Sequence, residues 1–362
     1  MAIDRSRAIT AGGVLAILCA IPLVFISGCS DGKPPSSERA DREGQVDATN
    51  KNGQTPPRIA FVTNQIADFW NIAKAGCEDA QKDFDIVVDV RMPTEAEVTE
   101  QKRIVEDLVT SGVDAIAISP LDAANQKEWL NGIAAKVPLI THDSDAPGTD
   151  RIMYIGMDNY LAGRKVGELV EQALPDGGEV MLFIGRLEQD NSQLRRQGVI
   201  DVLLGRDSRP DSYDPVEGVL KGDKYTILGT QLDQGKQERC KEKAADSLNA
   251  HPEMDAMVCL FEYNPPACYQ ALKQAGKLGQ IKLIGFDENE LTLQAIKDGD
   301  CVGTVVQNPY RYGYESMKVL DTLLKGDRSV IPDSKFIDIE ARTITKDNVD
   351  SFWDDLKAKK SG

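Results

Sequence analysis

From residue 57 onward, short apolar runs rich in β-branched residues alternate with segments of helical spacing. Strands are predicted near residues 58–63, 86–90, 115–119, 138–142, 152–156, 179–184, 225–230, 256–261, 281–286 and 303–307. Between most of them lie helical patterns such as 97–110, which Gly112 follows as a C-terminal cap. Strands that alternate with helices predict an α/β fold with parallel sheets and right-handed crossovers. The number of runs favours two sheets over one.

Polar side chains stand at the ends of many of these apolar runs. Five of them are Asn64, Ser119, Asp143, Asp287 and Gln307. In open parallel sheets, ligands bind just beyond the carboxyl ends of the strands. Any one of these residues alone could be a helix cap or a turn residue. Five of them together predict one shared polar site, assembled from segments that lie far apart in the sequence.

The length and the net charge of the chain limit the number of domains and the kinds of partner it can bind. The chain has 362 residues, a hydrophobic content of 41% and a net charge of −16. Its length predicts about two domains of ordinary size. The acidic balance argues against a nucleic-acid partner, because phosphate binding needs clustered Lys and Arg. We interpret the excess negative charge as an aid to solubility.

Residues 1–28 have the pattern of a secretory signal peptide. Arg5 and Arg7 precede an apolar run from Ala11 to Phe25, which is short for a membrane-spanning helix. The tetrad that ends at Cys29 resembles a bacterial lipobox, in which the cysteine carries lipid and becomes the new N-terminus. A single membrane anchor and a signal cut elsewhere are the alternatives. The favoured reading is an extracytoplasmic lipoprotein, periplasmic or at the cell surface, that touches the membrane only through its lipid.

Residues 29–56 contain almost no large apolar side chain and many Ser, Pro, Gly and charged residues. Such a segment cannot bury enough surface to order itself. We expect a flexible tether with a mean reach on the order of 30 Å.

The cysteines and histidines show no metal-binding pattern in the sequence. Five cysteines remain after the lipobox, and Cys259 and Cys301 are a weak candidate for a disulfide because both lie in or beside strands of one half. His142 and His251 are the two histidines of the chain and form no ligand cluster. No metal and no cofactor is expected.

Seven segments carry a family resemblance. They are 59–64 followed by Phe69-Trp70, 113–123, 137–144, 155–163, 195–198, 283–287 and 305–309. In their order and spacing they resemble the type I periplasmic sugar-binding proteins, the group that includes the ribose-binding protein. The resemblance extends from about Arg58 to Thr343.

That resemblance implies two Rossmann-like lobes joined by a three-stranded hinge, with the ligand buried between them. The first lobe would contain 57–159 and 308–333, and the second lobe 160–307 and 334–345. Residues 346–362 would form a C-terminal tail. The implied role is capture of a sugar by hinge closure and delivery to the permease of an ABC importer. A monomer is expected, with no enzymatic activity.

The ligand contacts that the resemblance implies are Asn64, Phe69, Trp70, Ser119, Asp143, Ser144, Arg195, Tyr263 or its neighbour Asn264, Asp287 and Gln307. Carboxylates accept strong hydrogen bonds from hydroxyl groups, a guanidinium donates as a fork, and aromatic rings supply platforms for the apolar faces of a sugar. Phe69 and Trp70 could instead be core, Tyr263 packing, and Arg195 a surface charge beside Arg196.

The chain departs from the family at two places. Many relatives carry Arg where this chain has Ser144, and the stretch 262–267 differs from their Asn-Asp-x-x-Ala turn. Loss of the Arg removes a bidentate grip on a pyranose, so a sugar is expected but ribose in particular is not favoured. A polyol, a furanosyl signal molecule or a nucleoside is the alternative ligand.

Three other roles compete with this one. A repressor of related fold would need an N-terminal helix-turn-helix and basic charge, in place of the signal and tether found here. An enzyme on a Rossmann-like fold would need a phosphate loop, and the nearest match at 229–237 has the wrong spacing and lacks the Ser or Thr that holds magnesium. A protein that presents its ligand to a membrane sensor fits the sequence as well as a transport protein does.

Overall fold

The computed structural model describes residues 55–360. The signal peptide, almost all of the tether and Cys29 lie outside the described residues. The strands are β1 Arg58–Val62, β2 Val87–Arg91, β3 Ala115–Ile118, β4 Leu139–His142, β5 Tyr154–Gly156, β6 Gly178–Ile184, β7 Leu220–Lys221, β8 Tyr225–Leu232, β9 Ala256–Cys259, β10 Lys282–Phe286, β11 Gly303–Val306, β12 Phe336–Asp338 and β13 Arg342–Thr345. The helices are α1 Asp68–Asp83, α2 Val98–Thr110, α3 Lys127–Ala134, α4 Asn159–Ala173, α5 Asp190–Leu203, α6 Gln237–Ala250, α7 Asn264–Gln274, α8 Glu290–Asp298, α9 Pro309–Leu324 and α10 Val349–Lys360.

The first sheet has the order β12-β5-β4-β3-β1-β2, and all of its strand pairs are parallel. Alternate side chains of β1 enter different cores. Ile59 and Phe61 join a cluster with residues of α1 and α9, whereas Ala60 and Val62 join one with residues of α2 and α3. Helices therefore cover both faces, as buried parallel sheets require. This sheet and its helices are called the first lobe below.

The second sheet has the order β13-β11-β10-β9-β6-β8-β7. It is parallel except at its two edges, where β13 and β7 run antiparallel to their neighbours. One face packs against α4 and α5, and the other against α6, α7 and α8. This unit is called the second lobe. The prediction of an α/β fold with two parallel sheets is confirmed.

The chain passes between the two sheets three times, after β5, after β11 and after β12. The prediction that residues 334–345 belong to the second lobe is wrong for one strand. β12 pairs in parallel with β5 and so belongs to the first sheet, and the return to the second sheet comes only with β13. The predicted tail contains α10, whose Phe352 and Leu356 are buried in the core cluster of the second lobe.

The segment 205–224, which connects α5 to β8 and contains β7, is bound tightly to α5. Asp214 accepts hydrogen bonds from Gln197, Arg206 and Arg209 at 2.6–2.8 Å. Arg196 donates to the carbonyls of Asp214 and Pro215. The guanidinium of Arg196 thus binds this segment and is not free for a ligand in the cleft.

The described part of the chain contains neither the candidate disulfide nor a membrane-spanning helix. Cys259 and Cys301 are both buried and free, so the candidate disulfide is wrong. Burial raises the pKa of each thiol, to about 11 and about 12, which keeps both protonated and unreactive. Among residues 55–360 there is no helix long and apolar enough to cross a bilayer, and no cluster of side chains suited to a metal ion.

Candidate functional site

One cavity between the two lobes collects most of the polar residues predicted at strand ends. Asn64, Asp143, Asp287 and Gln307 line it directly, and Ser119 lies behind Asp143. All five are buried, with at most 9% of any side chain exposed. The topology explains the convergence, because the carboxyl ends of both parallel sheets face the same cleft.

The cleft contains about 530 Å³ of space free of protein atoms, part of which is open to solvent. Its wall in the first lobe is Asn64, Gln65, Ala67, Phe69, Trp70, Ala96, Leu121 and Asp143. Its wall in the second lobe is Gly185, Arg186, Gln189, Asn191, Arg195, Gly235, Phe261, Glu262, Tyr263, Asp287 and Gln307. Aromatic faces and hydrogen-bonding groups thus share one space.

A chain of hydrogen bonds fixes the polar groups of the first lobe. Trp70 Nε1 donates to Asn64 Oδ1 at 3.0 Å, and Asn64 Nδ2 donates to Ser119 Oγ at 3.3 Å. Ser119 Oγ in turn donates to Asp143 Oδ2 at 2.9 Å. The side chains of Asn64 and Asp143 are therefore held in place before any ligand arrives.

Phe69 and Trp70 serve both the core and the cavity. Both belong to the hydrophobic cluster between α1 and the first sheet, and both also line the cleft. Their rings meet edge to face with centroids 4.8 Å apart. This geometry gives the cavity a rigid aromatic wall.

Asp143 and Asp287 end corresponding strands of the two lobes, β4 and β10, with the same backbone conformation. Their φ angles are 59° and 63°, in the left-handed region that non-glycine residues seldom adopt. The hydroxyl of Tyr154 donates to the backbone carbonyl of Asp143, and the hydroxyl of Thr304 donates to the backbone carbonyl of Asp287, both at 2.8 Å. The left-handed residue turns each carboxylate into the cleft, and the cost of such backbone conformations is characteristic of functional sites.

Arg195 is the buried cation of the site, with 1% of its side chain exposed. Its Nε donates to Asn159 Oδ1 at 2.8 Å and its Nη1 to the carbonyl of Leu260 at 3.2 Å. Its guanidinium lies 4.3 Å from the ring centroid of Phe286, and Nη2 is 3.8 Å from Asp143 Oδ1. Nη2 has no hydrogen-bond partner in residues 55–360, so it is available to a ligand.

Two glycines bring the helices α4 and α5 close enough to place Arg195. A Cβ on Gly163 would lie 2.1 Å from the carbonyl oxygen of Arg195, and one on Gly198 would lie 2.2 Å from that of Tyr160. The backbones touch directly at this crossing. Asn159, at the start of α4, can therefore reach the Arg195 side chain on α5.

Burial disfavours the charged form of both strand-end carboxylates. Burial raises the pKa of Asp287 to about 7, against the lowering effects of Arg195 and Gln307, and Asp143 and Glu262 raise it further. The pKa of Asp143 is also raised by burial, while Arg195 and Ser119 oppose that rise. Asp287, with its pKa of about 7, therefore changes charge near neutral pH.

The structure distinguishes between neighbouring candidates. Tyr263 lines the cavity, and its hydroxyl donates to Asp233 Oδ1 at 2.7 Å. Asn264 instead points away, because its amide nitrogen donates to Asp233 and its oxygen accepts from Phe261 N. Ser144 is fully buried and is not part of the cavity wall.

Several lining residues carry no signal in the sequence. Asn191 and Gln189 lie at the start of α5, and Arg186 follows β6. Glu262 lies on the turn before α7, where the sequence departs from the family pattern. Helix starts and turns are polar in most proteins, so no spacing rule separates such residues from ordinary caps.

Comparisons with known proteins agree with this geometry. Residues 59–328 match the periplasmic binding protein domain family. The chain is 25% identical over 296 residues to a D-ribose/D-allose-binding protein of Pseudomonas aeruginosa, covering 78% of this chain and 84% of that protein. It is 25% identical over 295 residues to a xylitol-binding protein of Mycolicibacterium smegmatis, covering 81% and 78%.

Solved structures show the same fold. An ABC transporter solute-binding protein from Burkholderia graminis, in complex with D-arabinose, superposes with a TM-score of 0.73 at 25% identity, over 82% of this chain and 97% of that one. A glucose-galactose binding protein from Geobacillus stearothermophilus gives a TM-score of 0.72 at 24% identity, over 81% and 98%. The chain belongs to the periplasmic binding protein family, and the resemblance found in its motifs is confirmed.

Proposed function

We propose that the protein is an extracytoplasmic solute-binding protein that captures a sugar or polyol between its two lobes. The observation that carries this proposal is the cleft itself. Its aromatic wall of Phe69 and Trp70 faces polar groups from both lobes, among them Asp143, Arg195 and Asp287. A sugar has apolar C–H faces and a rim of hydroxyls, and this combination of walls complements both.

Each side chain has a distinct role in this proposal. Asp143 and Asp287 accept hydrogen bonds from ligand hydroxyls, and Arg195 donates through its unpaired Nη2. Trp70 and Phe69 stack on the ring. A ligand with a misplaced hydroxyl would leave one of these buried groups unpaired, at a cost of about 1–3 kcal/mol. Ser119 would act through Asp143, which it positions.

The names of the relatives support a polyhydroxylated ligand. They are described as binding ribose or allose and xylitol, and the Burkholderia protein was solved with D-arabinose. By the same likeness, we propose delivery of the ligand to the permease of an ABC importer by the closed form. The protein would act as a monomer, tethered outside the cytoplasm by lipid on Cys29.

A thermal-shift screen tests the binding role. The protein would be heated with pentoses, hexoses, polyols, nucleosides and amino acids in turn. A ligand at about 100 times its Kd stabilises the folded state by about 2.7 kcal/mol, a clear rise in Tm. A response to sugars or polyols is expected. A response to amino acids or nucleosides alone would keep the fold and overturn the ligand class.

The anchor has its own test. Cys29 lies outside the described residues, and its lipidation stays a prediction from the lipobox. Cells fed a labelled fatty acid should label the wild-type protein and not Cys29→Ser. Equal labelling of the two proteins would refute the lipid anchor while leaving the binding role untouched.

A further inference from the structure

Asn191 is a buried polar residue of the cleft whose side chain is only half paired. It is 2% exposed and lies in the first turn of α5. Its Nδ2 lies 3.5 Å from Asp143 Oδ2 in the first lobe, and its Oδ1 has no hydrogen-bond partner in the described part of the chain. Exchanging the two amide atoms would set oxygen against a carboxylate, so the oxygen is the unpaired atom.

A polar residue at the start of a helix is ordinarily a cap, but Asn191 does not act as one. The N-cap residue of α5 is Gln189, and Asn191 Oδ1 accepts from no backbone N–H in residues 55–360. A buried carbonyl oxygen left unpaired loses its hydration without compensation. A ligand group that donates to this oxygen would recover the loss.

Arg195 lies one helical turn after Asn191, so the two side chains share one face of α5. Its Nη2 is also unpaired among residues 55–360, and it lies 3.8 Å from Asp143 Oδ1, beyond hydrogen-bond distance. Asn191 and Arg195 therefore approach the same carboxylate, one near each of its oxygens. Two acceptors, Asp143 Oδ1 and Asn191 Oδ1, and one donor, Arg195 Nη2, form a cluster in the wall of the cleft.

The hydrogen-bonding capacity of a hydroxyl decides how many hydroxyls this cluster needs. A hydroxyl donates one hydrogen and has two acceptor lone pairs. One hydroxyl can accept from Arg195 Nη2 and donate to Asp143 Oδ1, which leaves Asn191 Oδ1 unpaired. A second hydroxyl is needed for Asn191. Because both acceptors lie beside one carboxylate, the two hydroxyls fit best on neighbouring carbons of one ligand.

We propose that Asn191 determines specificity by binding, through Oδ1, a ligand hydroxyl next to the one held between Asp143 and Arg195. The cleft then selects sugars or polyols with a vicinal diol at this point and rejects those that lack either hydroxyl. Since Asp143 belongs to the first lobe and the other two residues to the second, the diol bonds to both lobes. This inference rests on the proposed function, because it assumes a polyhydroxylated ligand in the same cleft.

Calorimetric titration with deoxy sugars tests the inference. The full-length wild-type protein would be titrated with the pentoses, hexoses and polyols of the thermal-shift screen and with deoxy analogues, for example 2-deoxy-D-ribose and 3-deoxy-D-ribose beside D-ribose. For the parent that binds most tightly, analogues that lack either of two neighbouring hydroxyls should each bind about tenfold more weakly, or worse.

The variant Asn191→Leu separates the two hydroxyls, because it keeps the size of the side chain and removes its polar atoms. The affinity loss on deoxygenation should disappear at one of the two positions, where the acceptor is gone. It should persist at the neighbouring position, where Asp143 and Arg195 remain. Asn71→Leu is the matched control. Nδ2 of the exposed Asn71 likewise lies 3.5 Å from a carboxylate oxygen, that of Asp68, but Asn71 lies outside the cavity wall, so this variant should keep both losses.

The outcomes separate the two proposals. Equal losses in Asn191→Leu and wild type, as expected if water alone pairs with Asn191, would overturn this inference and leave the proposed function standing. So would a loss that disappears at a carbon not adjacent to the other position. The smaller variant Asn191→Ala gives the same comparison if Leu obstructs the cleft, and loss of all binding in both variants would contradict the role of a single neutral hydrogen bond. No binding of any sugar or polyol to the wild-type protein would overturn both proposals.

Discussion

Arg186 in the second lobe donates a hydrogen bond of 2.8 Å from Nη1 to the carbonyl oxygen of Ala96 in the first lobe. Its Nη2 is held within its own lobe by the carbonyl of Gln234 at 2.9 Å. The guanidinium therefore bridges the mouth of the cleft, and this contact can form only when the lobes are close together. It stabilises the closed state without depending on the identity of the ligand.

Removing this bridge should speed ligand release. Arg186→Ala loses one inter-lobe hydrogen bond of about 1 kcal/mol, so we expect the dissociation rate to rise about fivefold. Stopped-flow fluorescence can follow it, because Trp70 lines the cavity. Arg103→Ala, an exposed change on α2, is the control. Identical dissociation rates in Arg186→Ala and wild type would show that the bridge does not control opening.

The two strand-end carboxylates should each be indispensable for binding. Asp143→Asn and Asp287→Asn keep the side-chain shape and tolerate the left-handed backbone, with φ of 59° and 63° at these positions. Each variant removes a charge-assisted acceptor and leaves the buried Arg195 less well compensated. We expect a loss of about 2–5 kcal/mol in binding free energy. Calorimetry measures this loss, and wild-type affinity in both variants would refute the site.

The strand-end residues could be predicted because strands have a simple sequence signature. A buried parallel strand is a short apolar run, and the residue that ends it must lie at the carboxyl edge of the sheet. Asn64, Asp143 and Asp287 follow from this signature. Arg195 needed the family resemblance, since a helix of buried polar residues gives no clear apolar face to orient it.

The lining residues that the sequence does not predict reach the cavity only through the closing of one lobe on the other. Asn191, Glu262 and Arg186 lie in turns or at the start of a helix, where polar residues are ordinary. Only the closing of one lobe on the other brings them to the cavity. The misplaced strand β12 has a different origin, because its partner β5 lies in the same sheet but some 180 residues earlier, and no local pattern specifies that pairing.

The stability of the ligand-free protein should fall as the pH rises toward neutrality. The pKa of Asp287 is about 7 in the folded state and has its ordinary value of 3.8 when the chain unfolds. Because the folded state holds the proton more tightly, the contribution of Asp287 is complete below about pH 4 and is lost as pH rises to about 7. The charged and polar groups that act on it are Asp143, Glu262, Arg195 and Gln307.

Urea unfolding at several pH values measures this effect. Between pH values of about 5 and about 8, the free energy of unfolding should decrease less in Asp287→Asn than in wild type. Asp190, with a pKa raised to about 7 by burial and by Asp145, contributes in the same direction and is unchanged in the variant. Equal pH dependence in both proteins would show that Asp287 titrates normally.

The close crossing of α4 and α5 leads to the last prediction. Gly163→Ala would place a methyl group 2.1 Å from the carbonyl oxygen of Arg195, so the helices must separate. Overpacking of this kind costs about 1–3 kcal/mol of stability. Displacement of the Arg195 backbone should also break its bonds to Asn159 and Leu260, and so weaken ligand binding. Gly132→Ala in α3 is the matched control, because an added Cβ there meets no atom within 4 Å. The control should bind ligand like wild type, and wild-type stability and affinity in Gly163→Ala would show that the crossing does not position Arg195.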